Sequence, residues 1–452
     1  MQRNHAYKQP KAASSPQKVK TFASGTLLSG EYGALSGFAR ELTDESTFKP
    51  QSTVPDERRK KVIIVGGGIN GIQQASIFLE NGSVGINDIQ IFDTLDDFGG
   101  VWQKNKYPGC ACDVPAMVYT TSYNINKEWT HYYAKRAEIQ AYYAKFAYEY
   151  HLEQSTQFCS LVQACTWDDE LMVWHVTVAN QLTGQIEYWI ADVVCQCVGS
   201  LDRPKWGTTP GREQFQGLSW HTAHWQNHDL IDKRVAIIGC GPSAAQIIPE
   251  IVDKTKHLTI YMRTPPVCVP RQDFAYSNFF RWALRWVPGF AWAVRTRMNL
   301  RIMMNGRKVA TDGHPLNDQM TQSAISFMES EVTDPELRNL VRPDSKLLSA
   351  HTTTGKETER EFDIIIFGTG FNVAQYLEHE KIKGIGGVDL QTKWKDHPEA
   401  LYGLATSEFP NMFYCSGPNS GQIWSSQQDI WERQARCKGS KPMYTYGQNQ
   451  AV

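Results

Sequence analysis

Short apolar runs recur along the chain, and glycine stops several of them. Lys61-Val62-Ile63-Ile64-Val65 predicts a buried strand running into Gly66-Gly67-Gly68-Ile69-Asn70-Gly71. The apolar stripe from Ile72 to Leu79 predicts a helix, and Ile89-Gln90-Ile91-Phe92 predicts a second strand closed by Asp93. Strand, glycine turn, helix, strand and acid form the mononucleotide unit of a doubly wound sheet. The order returns at Arg234-Val235-Ala236-Ile237-Ile238, then Gly239-Cys240-Gly241-Pro242-Ser243-Ala244, a helix from Ala245, and Leu258-Thr259-Ile260-Tyr261-Met262 ending at Arg263. Two more strands are predicted over 363–367, before Gly368-Thr369-Gly370-Phe371, and over 411–415, before Ser416-Gly417-Pro418-Asn419-Ser420.

This pattern predicts an α/β protein with two dinucleotide-binding, Rossmann-like domains, the second inserted in the first. Residues 1–60 form a polar leader. The first domain takes 61–205 and returns over 351–452, and the second, with a helical insert, takes 206–350. Within the insert, 279–303 is aromatic and basic. The run Phe279 to Val294 contains Arg281, Arg285 and Pro288. It reads as a buried helix, a pocket wall or a surface that touches lipid.

Composition narrows the class. The chain has 452 residues, with 46 Lys plus Arg against 47 Asp plus Glu and a formal charge of -1. That balance gives no field for nonspecific nucleic-acid binding. No run is long and apolar enough to span a bilayer, and the N-terminus lacks the apolar stretch of a signal peptide. Ten cysteines are too few for a disulfide scaffold, and the CxC pairs Cys110/Cys112 and Cys195/Cys197 have no second pair at zinc-ribbon spacing. Core thiols in a reducing cytoplasm, with no metal, are the expectation.

The turns carry the chemistry. Gly66 makes the tight turn, Gly68 admits a pyrophosphate to the helix N-terminus, and Gly71 lets helix and strand pack. Asp93 can accept from a ribose 2'-hydroxyl, which suits FAD or NAD. At the second unit Ala244 replaces the third glycine and Arg263 with Thr264 replaces the acid. A cation there suits a 2'-phosphate, hence NADPH. A ligand-free glycine turn and a surface arginine are the plain alternatives. Two such sites imply hydride relay from nicotinamide to flavin.

Several segments extend the reading. Phe215-Gln216-Gly217-Leu218-Ser219-Trp220-His221-Thr222-Ala223-His224-Trp225 has the form FxGxxxHxxxW. Asp97-Phe98-Gly99-Gly100-Val101-Trp102 and Asn105-Lys106-Tyr107-Pro108-Gly109-Cys110-Ala111-Cys112-Asp113 follow the first unit. Together with Phe367-Gly368-Thr369-Gly370-Phe371, these motifs resemble class B flavoprotein monooxygenases of the Baeyer–Villiger type, over about 61–430. The resemblance implies that Gly66, Gly68, Gly71, Asp93, Gly99, Gly100 and Trp102 hold FAD, with Gly370 also at the cofactors. It implies that Gly239, Gly241, Arg263 and Thr264 hold NADPH, and that His221 couples the domains. Asp113 would lie by the flavin and orient a catalytic arginine.

Two departures follow from the resemblance. The family's YPxGxKR stretch, whose arginine stabilises negative charge on the reacting oxygen, is absent; Arg342 and Lys346 stand in the shortened region without a matching motif. The family's C-terminal segment, with its tryptophan-bearing loop, is expected to be missing. An anionic oxygen without a positive partner is costly. Oxygen transfer to an electron-rich carbon, sulfur or nitrogen needs no such anion. The expected activity is therefore FAD- and NADPH-dependent insertion of one atom of O2 into a small apolar organic substrate, in specialised metabolism. The alternative is dehydrogenation or a redox-neutral isomerisation, dehydration or cyclisation on the same fold; a nonenzymatic scaffold would not need the intact turns. Tyr107, Asp113 and Asn419 are candidate catalytic residues, with Gln422 and Trp424 beside them in the pocket. The aromatics from Phe274 to Trp292 are either an apolar substrate surface or packing.

Overall fold

The computed structural model describes residues 54–207, 209, 211–263, 266, 268–309, 311, 313–335, 338, 360–373, 376–420 and 432–436. Thr264, Arg342, Lys346, Gln422 and Trp424 lie outside the described residues. The chain begins with β1 (Arg59–Val65), α1 (Ile69–Glu80) and β2 (Ile89–Phe92). It continues through α2 (Val101–Lys104), α3 (Arg136–Glu149), β3 (Thr156–Gln157), β4 (Ser160–Asp168), β5 (Val173–Asn180) and β6 (Ile186–Gln196). Then follow β7 (Leu218–His221), β8 (Arg234–Ile238), α4 (Pro242–Ile251) and β9 (His257–Tyr261). The helical insert is α5 (Asn278–Trp286), α6 (Phe290–Val309) and α7 (Pro315–Glu331). β10 (Ile364–Phe367), β11 (Lys381–Lys383), α8 (Leu390–Lys393) and β12 (Met412–Tyr414) close the order.

The first sheet runs β11-β4-β5-β6-β1-β2-β3, with β12 also on β6. β1 lies at its centre, parallel to both β2 and β6, and its residues Val62 to Val65 are all buried. Such a strand, covered on both faces, reads as a continuous apolar run. Each of these side chains contributes roughly 1.5–3 kcal/mol by burial. β4 and β5 form an antiparallel excursion off the parallel core.

The second sheet runs β7-β10-β8-β9, parallel throughout. This corrects one boundary. Patterning placed 363–367 in the returning part of the first domain, whereas β10 pairs with β8 and β7 in the second sheet. Register is held at its entry by Asp363, which accepts from the Arg234 backbone N–H at 2.8 Å and meets its guanidinium at 3.0 Å. The second domain therefore extends past residue 367. The first sheet is regained at β11 and β12.

The two crossings between domains run side by side. Pro204 bridges Phe371, the Lys205 N–H donates to the Gly370 carbonyl at 2.8 Å, and the Asn372 N–H donates to the Arg203 carbonyl at 2.9 Å.

Candidate active site at two glycine turns

At the first turn Gly66 has φ +108°, and its missing Cβ would lie 2.8 Å from the Cys197 carbonyl oxygen. Gly68 caps α1 with no side-chain hydrogen bond, so the first-turn N–H groups face outward for an anion. A Cβ on Gly71 would lie 1.8 Å from the Gly66 carbonyl oxygen, which explains the third glycine as helix-to-strand packing. Gly100, at φ +53°, comes so close that its Cβ would lie 2.9 Å from the Gly68 Cα. The 97–102 segment is thereby folded against the turn.

Asp93 is buried. Its Oδ2 accepts from Gly67 N–H at 2.5 Å and its Oδ1 from Leu95 N–H at 2.7 Å. Burial lifts its carboxyl to about 6, against the lowering effect of those two N–H groups. Each oxygen keeps a lone pair for a ribose hydroxyl. Two buried amide oxygens nearby in sequence, Asn70 Oδ1 in the first turn of α1 and Asn105 Oδ1, have no hydrogen-bond partner. An open helix N-terminus, a buried acid and orphaned amide oxygens fit a dinucleotide with a pyrophosphate and hydroxyl donors. FAD fits these residues.

The second turn repeats the backbone. Gly239 has φ +105° and abuts the Gly368 carbonyl oxygen, 2.3 Å from where its Cβ would be. Gly241 caps α4, also without a side-chain hydrogen bond, and a Cβ there would meet nothing within 4 Å. That open space lets a pyrophosphate approach. Arg263 is exposed just past β9. NADPH fits this set. Gly370 has φ +81° and sits on the crossing seam, its carbonyl accepting from Lys205.

The segment between the turns has a task that patterning did not reveal. The Tyr107 hydroxyl donates to Gln246 Oε1 at 3.1 Å, and the Gln246 amide donates back to the Ala111 carbonyl at 2.9 Å. Gly109 is pressed against the Gln246 backbone, its Cβ position 2.4 Å from that carbonyl oxygen. Burial raises the Tyr107 phenol, so it stays protonated at neutral pH. Tyr107 thus ties the first domain to α4 rather than serving as a base. Nothing in the apolar pattern marks Gln246, because its role depends on a contact between domains.

His221 is fully buried. Its Nδ1 accepts from Ala223 N–H at 3.1 Å, and its Nε2 faces the Gly370 backbone without a well-formed hydrogen bond. Burial, then the neighbouring His224, lowers its pKa to about 4. A ring held neutral between Trp206 and Phe371, at the crossing seam, positions chain rather than moving protons.

Trp102 donates from Nε1 to the Tyr119 hydroxyl at 2.9 Å, and Arg136 donates from Nε to the Trp102 carbonyl at 2.7 Å. Asp113 is exposed at the end of its segment. Beside it lies a cation that the motifs did not single out. Arg271 Nη2 donates to the Cys112 carbonyl at 3.4 Å, with its guanidinium 5.1 Å from the Tyr133 ring centroid. Antiparallel links hold that stretch on the first domain, the Tyr132 N–H donating to the Phe274 carbonyl and the Tyr276 N–H to the Thr130 carbonyl. Asn419, by contrast, is exposed at φ +61° and donates to the Pro398 carbonyl at 3.3 Å. Asparagine tolerates that left-handed backbone, and here it braces a loop. None of the nine described cysteines is in a disulfide, and the Cys197 and Cys415 Sγ atoms lie 3.2 Å apart behind the first turn. Among the described residues no cluster could hold a metal, and no helix is long and apolar enough to cross a membrane.

Residues 59–278 match the family described as flavin-binding monooxygenase-like. The FAD-binding monooxygenase BOA2 of Botryotinia fuckeliana is 30% identical over 436 residues, covering 88% of this chain and 82% of that protein. A Baeyer–Villiger monooxygenase of Pseudomonas aeruginosa is 34% identical over 405 residues, covering 82% of this chain and 75% of that protein. The open crystal structure of cyclohexanone monooxygenase superposes with a TM-score of 0.73 at 21% identity, over 86% of this chain and 88% of that one, a likeness of fold.

Proposed function

The chain belongs to the flavin-binding monooxygenases, in their Baeyer–Villiger branch, and on that premise we propose how its residues serve an FAD- and NADPH-dependent oxygenation of an apolar organic substrate. Bound FAD supplies oxygen activation and NADPH the hydride. Gly66, Gly68, Gly71 and Asp93 hold the FAD pyrophosphate and ribose, while Gly99, Gly100 and Trp102 shape the wall by the ring. Gly239, Gly241, Arg263 and Thr264 hold NADPH. His221 and Gly370 keep the crossing seam, and Tyr107 with Gln246 fixes the distance between the sites. Cysteines outside any disulfide among the described residues support a cytoplasmic setting, and the substrate belongs to specialised metabolism.

The catalytic assignment rests on one observation, the guanidinium of Arg271 bonded to the residue adjoining Asp113. Negative charge developing on a reacting oxygen requires a positive partner close by. Arg271 offers it where the motif arginine is absent, and Asp113 adjoins the residue whose carbonyl anchors the guanidinium. Asn419 is withdrawn from catalysis and kept as a loop brace.

Arg271→Ala tests this. The variant keeps its FAD and its rate of reduction by NADPH within about two-fold, yet loses product by roughly 100-fold, with the electrons leaving as hydrogen peroxide. Arg271→Lys restores part of the coupling. A fully coupled Arg271→Ala enzyme overturns the assignment of the cation. An enzyme whose flavin NADPH cannot reduce overturns the relay itself.

A further inference from the structure

The helical insert presents an aromatic face to solvent. On α5, Phe279, Trp282 and Trp286 are 76%, 51% and 69% exposed, and Trp292 in the first turn of α6 is 59% exposed. Positions 279, 282 and 286 share one helix face, whereas Leu284 is buried on the other. The Phe279 and Trp282 rings stack at 5.9 Å and 23°, so the patch is ordered by its own contacts. Leaving such rings in water forgoes burial that the fold could have supplied.

Charge accompanies them. From Phe274 to Thr311 the sequence holds arginines and a lysine but no aspartate or glutamate. Along α6 an exposed stripe contains Arg297, Leu300, Arg301, Met304 and Lys308. The acid facing α5 from the first domain is Glu128, engaged by Arg285 Nε at 2.6 Å.

We infer that the α5–α6 face docks the protein on an anionic lipid surface, Phe279, Trp282 and Trp286 entering the headgroup boundary and Arg297, Arg301 and Lys308 meeting lipid phosphates and carboxylates. Indole rings favour that boundary because one end is apolar and the N–H finds water or a headgroup. Helices with an aromatic face and a basic flank lie in the interface plane without spanning it, consistent with the lack of a spanning helix among the described residues. A second copy is the poorer occupant, since a two-fold contact brings the arginines of both copies together. The inference does not depend on which atom the enzyme oxygenates.

Flotation of the flavin-loaded protein with extruded vesicles decides it. The bound fraction on phosphatidylcholine vesicles containing phosphatidylserine is expected to exceed that on phosphatidylcholine alone by roughly ten-fold, and to fall in about 0.5 M NaCl. Trp282→Ser with Trp286→Ser lowers binding roughly ten-fold while the visible flavin spectrum stays unchanged. Arg297→Glu with Arg301→Glu removes the preference for the anionic lipid. Absence of flotation on both vesicle types overturns the proposal, as does binding indifferent to both double variants. A dimer in light scattering that the tryptophan variant dissolves assigns the face to a second copy instead.

Discussion

The two glycine turns share a backbone and differ in everything that surrounds it. In each, the first glycine N–H donates to the end of the neighbouring strand, Gly66 to Phe92 at 2.7 Å and Gly239 to Tyr261 at 2.8 Å. In each, a carbonyl from the strand on the other side, Cys197 or Gly368, occupies the space of a Cβ. The first turn is then closed in. Gly71 is pressed on Gly66, Asp93 holds Gly67, and α1 is buried along most of its length. The second is left open. Ala244 stands where Gly71 would, Gly241 faces empty space, and α4 buries only Ala244, Ile247 and Ile251. A site walled by core keeps its cofactor through turnover. A site on a half-exposed helix is expected to release its cofactor more readily, as the proposed NADPH site would require.

Alanine at one glycine of each turn sharpens this contrast most. Gly71→Ala forces a methyl into the Gly66 carbonyl and is expected to cost on the order of 3–5 kcal/mol, yielding protein that melts early and lacks yellow flavin. Gly241→Ala changes melting by no more than about 1 kcal/mol, because its Cβ meets no atom. Its effect falls on the KM for NADPH. Thermal melts with flavin absorbance and steady-state kinetics separate the two, and equal stability losses would erase the difference between a walled and an open site.

Exchanging the charged residues comes next. Asp93→Asn removes the charged acceptor for Gly67 N–H and the ribose, and should weaken FAD binding by roughly 10- to 100-fold. Arg263→Asp should leave FAD untouched and reduce the preference for NADPH over NADH by a similar factor. FAD titration of the apoprotein and KM values for both nicotinamides provide the readings. An NADPH preference that survives Arg263→Asp would locate 2'-phosphate recognition elsewhere.

The turns themselves were legible in sequence, because strand, glycine, helix and acid are contiguous and each residue type has a local cause. Strand membership was less so. Ile364–Phe367 is an apolar run before glycines, and such a run fits either sheet; only pairing with β8, clasped by Arg234 and Asp363, decides it. Contacts between distant segments were invisible for the same reason. Gln246 looks like any polar residue on a helix, and Arg271 follows Pro270 with no spacing to mark it, yet both meet the 107–113 segment. Asn419 follows a strand, as a pocket residue would, and its positive φ also suits an asparagine in a loop.

Acidity should distinguish the turns by the smallest margin. Burial holds the free Asp93 carboxyl at about 6, and ribose hydroxyls donate to its anionic form, so bound FAD lowers that value. Below about pH 6 the apoprotein carries the proton that FAD must displace, and affinity falls about ten-fold per pH unit. Above it affinity is flat. At the second turn no buried carboxylate stands in the place of Asp93, and a 2'-phosphate keeps at least one negative charge, so NADPH affinity is expected to change less over the same range. His221, already neutral above about 4, adds no step. Fluorescence titration of the apoprotein with FAD between pH 5 and 8 should show the bend near 6, and Asp93→Asn should flatten it. A bend retained in Asp93→Asn would mean that another buried group, not the acid gripping Gly67, controls the first site.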